Sequence, residues 1–380
     1  MDFELTEEQK LLQSTVRAFA AKEIAPAAAK IDRDGEYPAA EIRKMADLRL
    51  FGLTIPEKYG GSGKGEVELC LAVEELAHAS AAVDGYLRVS LSLAIVPVIL
   101  FGTEAQKEKF LPRHASGEMA CFALTESGAG SDPAGIQTTA VRKSGGYVIN
   151  GSKLFISIGG QAGIVVVFAS TDKALMGRGI SAFVIDKETP GIVVGKSEDK
   201  MGLHGFISTE LFFEDCFVPE SARLGAEGQG LKIALQALDV SRVTVGAEAV
   251  GIARAAYEAA LKYAKERRQF GQAIAEFQGI QWMLADMATQ IDAARLLTYR
   301  AASLHDEGKP YVKEAAMAKL FASEMSAFVT GKALQIHGGY GYSRDYPLER
   351  YCRDARITEI YEGTSEIMRL TIARQILKET

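Results

Sequence analysis

Hydrophobic positions change their period twice along this chain. From Thr6 the pattern is helical: Thr6-Glu7-Glu8-Gln9 is a capping box, and Leu11, Leu12, Val16, Phe19 and Ala20 recur at three- and four-residue spacing. Pro26 predicts an end or a kink. Further helices are predicted over 38–49, 67–80 and 86–101, with another opening after Gly102. The glycine- and lysine-rich stretch 56–65 misses the spacing of a phosphate-binding loop, because Lys58 stands at the first glycine position and Gly65 follows the lysine; it reads as a flexible turn. After Cys121 the runs become short, β-branched and aromatic, over 121–124, 147–149, 152–156, 164–169, 180–185, 191–195 and 210–213. Asn150-Gly151 predicts a tight hairpin between the second and third. Many short strands without intervening helices predict a compact antiparallel β-barrel or sandwich. From Gly230 the helical period returns over 230–267, 274–307, 312–336 and from Ser365 towards Glu379, as in a four-helix bundle. The expected fold class is α+β multidomain: an N-terminal helical domain (1–120), a middle β domain (121–228) and a C-terminal helical bundle (229–380).

Composition narrows the function classes. The 380 residues are 48% hydrophobic and 24% charged, enough for two or three packed units. A net charge of -6 without a Lys/Arg stripe argues against nucleic acid as a partner. The start, Met1 to Lys10, is acidic where a signal peptide would be basic or apolar. No run of about 18 apolar residues is read in the sequence, so no membrane insertion is expected. Cys70, Cys121, Cys216 and Cys352 lack paired spacing, and five dispersed histidines give no metal site. No G-x-G-x-x-G follows a strand, which disfavours a Rossmann nucleotide site. A cytoplasmic enzyme is the expectation.

Candidate chemistry concentrates near the C-terminus, in 357–367. The reading there is an extended approach, a turn Tyr361-Glu362-Gly363-Thr364, and a new helix from Ser365. A carboxylate at such a turn, partly desolvated by its neighbours, is a usable base near neutral pH. Gly363 lets the backbone bend or a ligand approach. The plainer alternative is a helix cap flanked by surface acids.

Two longer patterns decide between these. Ala123-Leu-Thr-Glu-Ser-Gly-Ala-Gly-Ser-Asp-Pro-Ala-Gly135 resembles the first signature of the acyl-CoA dehydrogenases. Gln335-Ile-His-Gly-Gly-Tyr-Gly-Tyr-Ser-Arg-Asp345, with Arg350 and Asp354 downstream, resembles the second. The α-β-α order matches that family over essentially the whole chain. The resemblance implies FAD-dependent α,β-dehydrogenation of an acyl-CoA to the enoyl-CoA, with Glu362 abstracting the α-proton and flavin N5 accepting the β-hydride. The Glu362 backbone N–H and a flavin ribityl hydroxyl would then stabilise the developing enolate.

The same resemblance implies the binding residues. Phe122, Leu124, Thr125, Phe155, Ile156 and Ser157 would line the flavin, with Ser131 where flavin phosphate meets substrate. Phe-Ile-Ser stands where the family usually has Trp-Ile-Thr, keeping an aromatic ring and a hydroxyl. Arg267 and Gln278 would reach the flavin of a neighbouring subunit, which implies at least a dimer, and the family is typically a homotetramer (a dimer of dimers). Gln335, Gly338 and Gly339 would pass close to the cofactor, and Thr364 and Glu366 would face the adenosine side. Asp239, Arg242 and Gly363 would contact substrate. Taken alone, Asp239 and Arg242 also read as an i,i+3 ion pair.

One departure lies in 82–90. Asp84 aligns with a position where glutaryl-type members place an arginine, which disfavours a dicarboxylic acyl chain. Asp84 and Arg88, four apart on a helix, read as an ion pair. The alternative is that Asp84 is a second proton acceptor, as proposed for alicyclic carboxyl-CoA dehydrogenases that form conjugated ring dienes. The bulk of Tyr86 suggests a short or compact acyl pocket. An electron-transfer flavoprotein is the implied electron acceptor. An acyl-CoA oxidase and a non-catalytic helical flavoprotein are the rival functions.

Overall fold

A computed structural model describes residues 4–378; Met1–Phe3 of the acidic start and Glu379, the expected end of the last helix, lie outside the described residues. Helices α1 (Glu7–Phe19), α2 (Ala25–Asp34), α3 (Ala39–Asp47), α4 (Glu66–Val89), α5 (Val96–Phe101) and α6 (Glu104–Ala115) form the first unit. The capping box closes as predicted, Gln9 N donating to Thr6 Oγ1 at 3.2 Å and Thr6 N to Gln9 Oε1 at 3.0 Å. A π-helical turn separates α1 from α2, and Pro26 sits in the first turn of α2, where its missing N–H costs nothing.

α4 corrects the expected gap between 80 and 86. The helix kinks at Ser80 but continues, because Ala81, Ala82 and Val83 are buried and Gly85 lies against the Phe206 ring, where a Cβ would come within 3.0 Å. It is apolar on nearly every side, as a central core helix must be. The span Glu66–Phe101 is apolar enough on composition to cross a membrane, yet 89% of its most apolar window is buried within the fold.

The middle unit holds β1 (Ala120–Ala123), β2 (Thr139–Lys143), β3 (Gly146–Ser157), β4 (Ile164–Ser170), β5 (Ile180–Asp186), β6 (Ile192–Ser197), β7 (Ser208–Pro219) and β8 (Arg223–Leu224). The sheet order is β6-β7-β3-β2-β4-β5-β8, with β1 beside β4. This is an open mixed sheet rather than the expected antiparallel barrel or sandwich, since β1 and β2 both meet β4 in parallel. The predicted Asn150-Gly151 hairpin is a bulge inside the continuous strand β3. Asn150 exchanges hydrogen bonds with Asp215 on β7, and the register with β7 shifts between Ile149 and Gly151. The actual turn is at Gly145, with φ 81°.

The last unit comprises α7 (Gly230–Glu266), a short hairpin of β9 (Arg268–Gln269) and β10 (Gln272–Ala273), then α8 (Gln278–Asp306), α9 (Val312–His337), α10 (Gly339–Tyr342), α11 (Leu348–Ile357) and α12 (Ser365–Ile376). α7, α8 and α9 pack together, and α7 also lies along α4, joining the two helical units. α11, with the hydrogen-bonded turn that follows it over 358–361, replaces the extended approach expected before Glu362. It is pinned from both sides: Arg353 binds Asp32 of α2 at 2.7 Å, and Asp354 Oδ1 accepts the Leu203 N–H at 2.6 Å.

Candidate active site

Three helices and one turn converge on Glu362. α4 brings Asp84 and Arg88, α7 brings Arg242 and Glu248, α9 brings Lys319, and the turn from α11 to α12 carries Tyr361 to Thr364. Glu362 has φ 55°, a left-handed conformation that a non-glycine residue holds only when its surroundings enforce it. The surroundings are two cations on successive carbonyls. Arg242 Nε donates to Glu362 O at 3.2 Å, and Lys319 Nζ donates to Gly363 O at 2.7 Å. Thr364 then caps α12 by accepting from Ile367 N.

The Glu362 side chain is 6% exposed. Its Oε1 accepts from Arg88 Nη1 at 2.6 Å, and its Oε2 is buried with no partner. The fully buried Arg88 also sets its Nε 3.1 Å from Glu248 Oε2, and its guanidinium lies over the Tyr361 ring at 4.8 Å. The Tyr361 hydroxyl donates to the same Glu248 oxygen.

Asp84 does not form the expected ion pair. Arg88 is taken by Glu248 and Glu362, and both Asp84 oxygens are buried without a partner. Burial, reinforced by the Glu248 charge and opposed by Arg88, pushes the Asp84 carboxyl well above the usual carboxylate range. Burial also raises the Glu248 carboxyl, against the pull of Arg88. Burial lowers the Lys319 ammonium to about 8, although the Glu362 charge acts the other way. The arrangement can accept a proton: one carboxylate oxygen is anchored and the other is free.

Other expected positions fall around this centre. Asp239 and Arg242 do pair, at 2.6 Å, but Arg242 is buried and its second role is to hold the Glu362 carbonyl. Tyr86 spends its hydroxyl on backbone, donating to Gly205 O at 2.8 Å and accepting from Ile207 N at 3.1 Å. Its ring packs edge-on against Phe206.

In the β domain, Leu154 N donates to Thr125 O at 2.9 Å, which brings the 122–125 and 155–157 segments side by side. Leu124 and Ile156 are buried, Thr125 and Ser157 are half-buried, and Ser131 is exposed. Phe122 packs on Phe168. Phe155 is 58% exposed and held at φ 57°. An exposed aromatic ring in left-handed backbone gains little from folding alone, so this surface fits a planar ligand such as FAD. Arg267 lies over the Tyr340 ring of α10, the short helix that follows α9, on which Gln335 lies. Gly338 and Gly339 have open space where a Cβ would be, so the backbone there could be closely approached. Gln278 begins α8, while Thr364 and Glu366 begin α12.

Sequence reasoning missed Glu248, Lys319 and the Arg88–Glu362 contact. A signal was present for the first two. Glu248 is a lone carboxylate in the apolar run 243–253, and Lys319 stands among Ala315, Ala316, Ala318 and Ala322, all buried. A cavity of about 810 Å³, lined by Arg17, His78, Arg254 and Tyr346 among others, contains none of the residues around Glu362.

Three family profiles match in chain order: "Acyl-CoA dehydrogenase, N-terminal domain" over 6–118, the middle domain over 121–216 and the C-terminal domain over 228–377. An acryloyl-CoA reductase (NADH) of Anaerotignum propionicum is 51% identical, over 100% of this chain and 96% of its own. The structure of butyryl-CoA dehydrogenase from Megasphaera elsdenii superposes with a TM-score of 0.98 at 46% identity, covering 99% of this chain and 100% of that one. A chain from work on the electron transferring flavoprotein of Acidaminococcus fermentans gives a TM-score of 0.98 at 49% identity, covering 100% of both.

Proposed function

Because the chain belongs to the acyl-CoA dehydrogenases, FAD flavoproteins that oxidise acyl-CoA, we propose that Glu362 takes the α-proton of a short or compact acyl-CoA on the way to the enoyl-CoA. The observation that carries this is the Glu362 carboxylate itself, with Oε1 anchored by Arg88 and Oε2 buried and free. The left-handed turn, clamped by Arg242 and Lys319, fixes that free oxygen in place before substrate arrives. The Glu362 backbone N–H would donate to the thioester carbonyl as negative charge develops there. FAD, when bound, supplies the acceptor for the β-hydride. Phe122, Leu124, Thr125, Phe155, Ile156 and Ser157 would hold its ring system, with Ser131 near its phosphates. Arg267, Gln278, Gln335, Gly338, Gly339, Thr364 and Glu366 would hold the rest, some of them across a subunit boundary in a tetramer. An electron-transfer flavoprotein is the proposed acceptor of the electrons, in keeping with the Acidaminococcus relative.

A second reading concerns the acyl group. Asp84 is buried, has no partner and lies one helical turn from Arg88, so it can serve as a second proton acceptor towards a ring carbon beyond the α-position. The burial that disfavours its charge also makes it a stronger base once ionised. The deciding experiment follows flavin bleaching with straight, branched and ring acyl-CoAs, in the parent and in Asp84→Asn. Bleaching by butyryl-CoA supports the first reading, and none with any acyl-CoA sinks it. A loss in Asp84→Asn confined to ring substrates supports the second reading, and unchanged ring turnover sinks that one.

A further inference from the structure

We propose that Glu248 is a positioning residue that holds Glu362 in place by sharing the Arg88 guanidinium with it. This rests on Glu362 being the base. Glu248 sits on α7, fully buried, and grips the two groups that bracket Glu362: Arg88, its ion-pair partner, and Tyr361, its neighbour in the chain. The guanidinium is therefore contacted on three sides: Glu248 Oε2 lies 3.1 Å from Nε as an ion pair without a hydrogen bond, Glu362 Oε1 accepts from Nη1, and the Tyr361 ring lies beneath it. A fixed guanidinium holds Glu362 Oε1 and leaves Oε2 to meet the substrate.

The other charged groups around the site do not replace this role. Arg242 and Lys319 bind backbone carbonyls rather than the Glu362 carboxylate, and Arg242 also pairs with Asp239. Asp84 on α4 has no partner, Asp354 on α11 accepts from Leu203, and Glu359 in the turn pairs with Arg356. Among the described residues, Arg88 is the one cation on the Glu362 side chain.

The test is exchange of the butyryl-CoA α-hydrogen with deuterium oxide, read by mass spectrometry across pH on the holoenzyme, with thermal melting alongside. In Glu248→Gln, which cannot pair with the guanidinium as an ion, the exchange rate should fall roughly ten-fold with KM little changed. Glu248→Asp, which keeps the charge, should recover much of that rate. An unchanged rate in Glu248→Gln, or a change in melting alone, overturns the proposal. Should Glu248→Gln fail to accumulate folded, Arg88→Lys gives the same reading: it cannot bridge both carboxylates, so its rate must fall too, and an unchanged rate overturns the idea. Glu362→Gln separates the two claims. Exchange that survives it removes Glu362 as the base. Exchange abolished by it, beside an unchanged rate in Glu248→Gln, removes only the role of Glu248.

Discussion

Two buried charge clusters in this protein are built to opposite standards. In the β domain, Lys153 Nζ donates to Glu126 Oε1 at 2.8 Å and to Leu124 O at 3.0 Å, while Glu126 also accepts the Gln137 and Thr138 N–H groups at 2.6 and 3.0 Å. Both of its oxygens are answered. Burial alone would raise the Glu126 carboxyl, but Lys153 and these hydrogen bonds outweigh it and hold the group below its ordinary value. Around Glu362 three carboxylates, counting Asp84 and Glu248, face the single guanidinium of Arg88, and both oxygens of Asp84 and Oε2 of Glu362 have no partner. Each unanswered buried polar group costs about 1–3 kcal/mol. A fold that satisfies one cluster and leaves the other open is keeping the second for something that arrives later.

The widest separation between the two should come from removing their central groups. Glu362→Gln keeps the shape of the turn and removes the proton acceptor, so the rate of flavin reduction by acyl-CoA should fall about 10⁴-fold while the melting temperature stays within a few degrees. Lys153→Met should do the reverse. It strands Glu126 as an uncompensated buried charge, and chemical denaturation should show a loss of about 3–5 kcal/mol. Equal effects of both variants on stability would erase the distinction drawn between the clusters.

Much of the fold was legible because it is local. The Thr6 capping box, the helical period after Gly230 and the turn around Glu362 each depend on residues a few positions apart. What was not legible is long-range. The parallel pairing of β1 with β4 joins segments about 44 positions apart with two strands between them, and nothing in a short run of Cys and Phe announces it. The Asn150-Gly151 pair has the composition of a hairpin turn, but Asp215 on the neighbouring strand claims Asn150 and turns the feature into a bulge. The site divides in the same way. Glu362 was found through its motif, whereas Arg88 lies 274 positions from it, and the i,i+4 rule pointed Arg88 at Asp84 instead. Local pairing lost because α7 and the turn before α12 bring Glu248 and Glu362 to the guanidinium, and these are the carboxylates it contacts.

A smaller effect tests the contrast by acid. Glu126 has a folded value below its unfolded value of about 4.3, so its contribution to stability is present above that pH and is lost as pH falls through the folded value. Glu126→Gln should therefore be less stable than the parent at pH 7, by about 1–3 kcal/mol, and the deficit should shrink towards pH 3 in denaturation curves. A deficit that is flat with pH would mean that the Lys153 pairing is not what holds that carboxyl down.

The smallest expected effect has the opposite sign, which makes it the sharpest discriminator. The Asp84 folded value is raised well above the unfolded value of about 3.9, first by burial and then by Glu248. The unfolded chain therefore releases this proton before the folded chain does, and folding is penalised more and more as pH climbs above about 4 until the folded value is reached. Asp84→Asn has nearly the same shape and no proton to lose. It should match the parent near pH 4 and become the more stable of the two by about 1 kcal/mol or more at pH 7, measured by thermal melting across that range. If Asp84→Asn instead melts lower at every pH, then Asp84 has a partner that stabilises it, and the open cluster is not open. If it melts higher and loses turnover only with ring acyl-CoAs, the protein keeps an unstable carboxylate because the acyl group requires it.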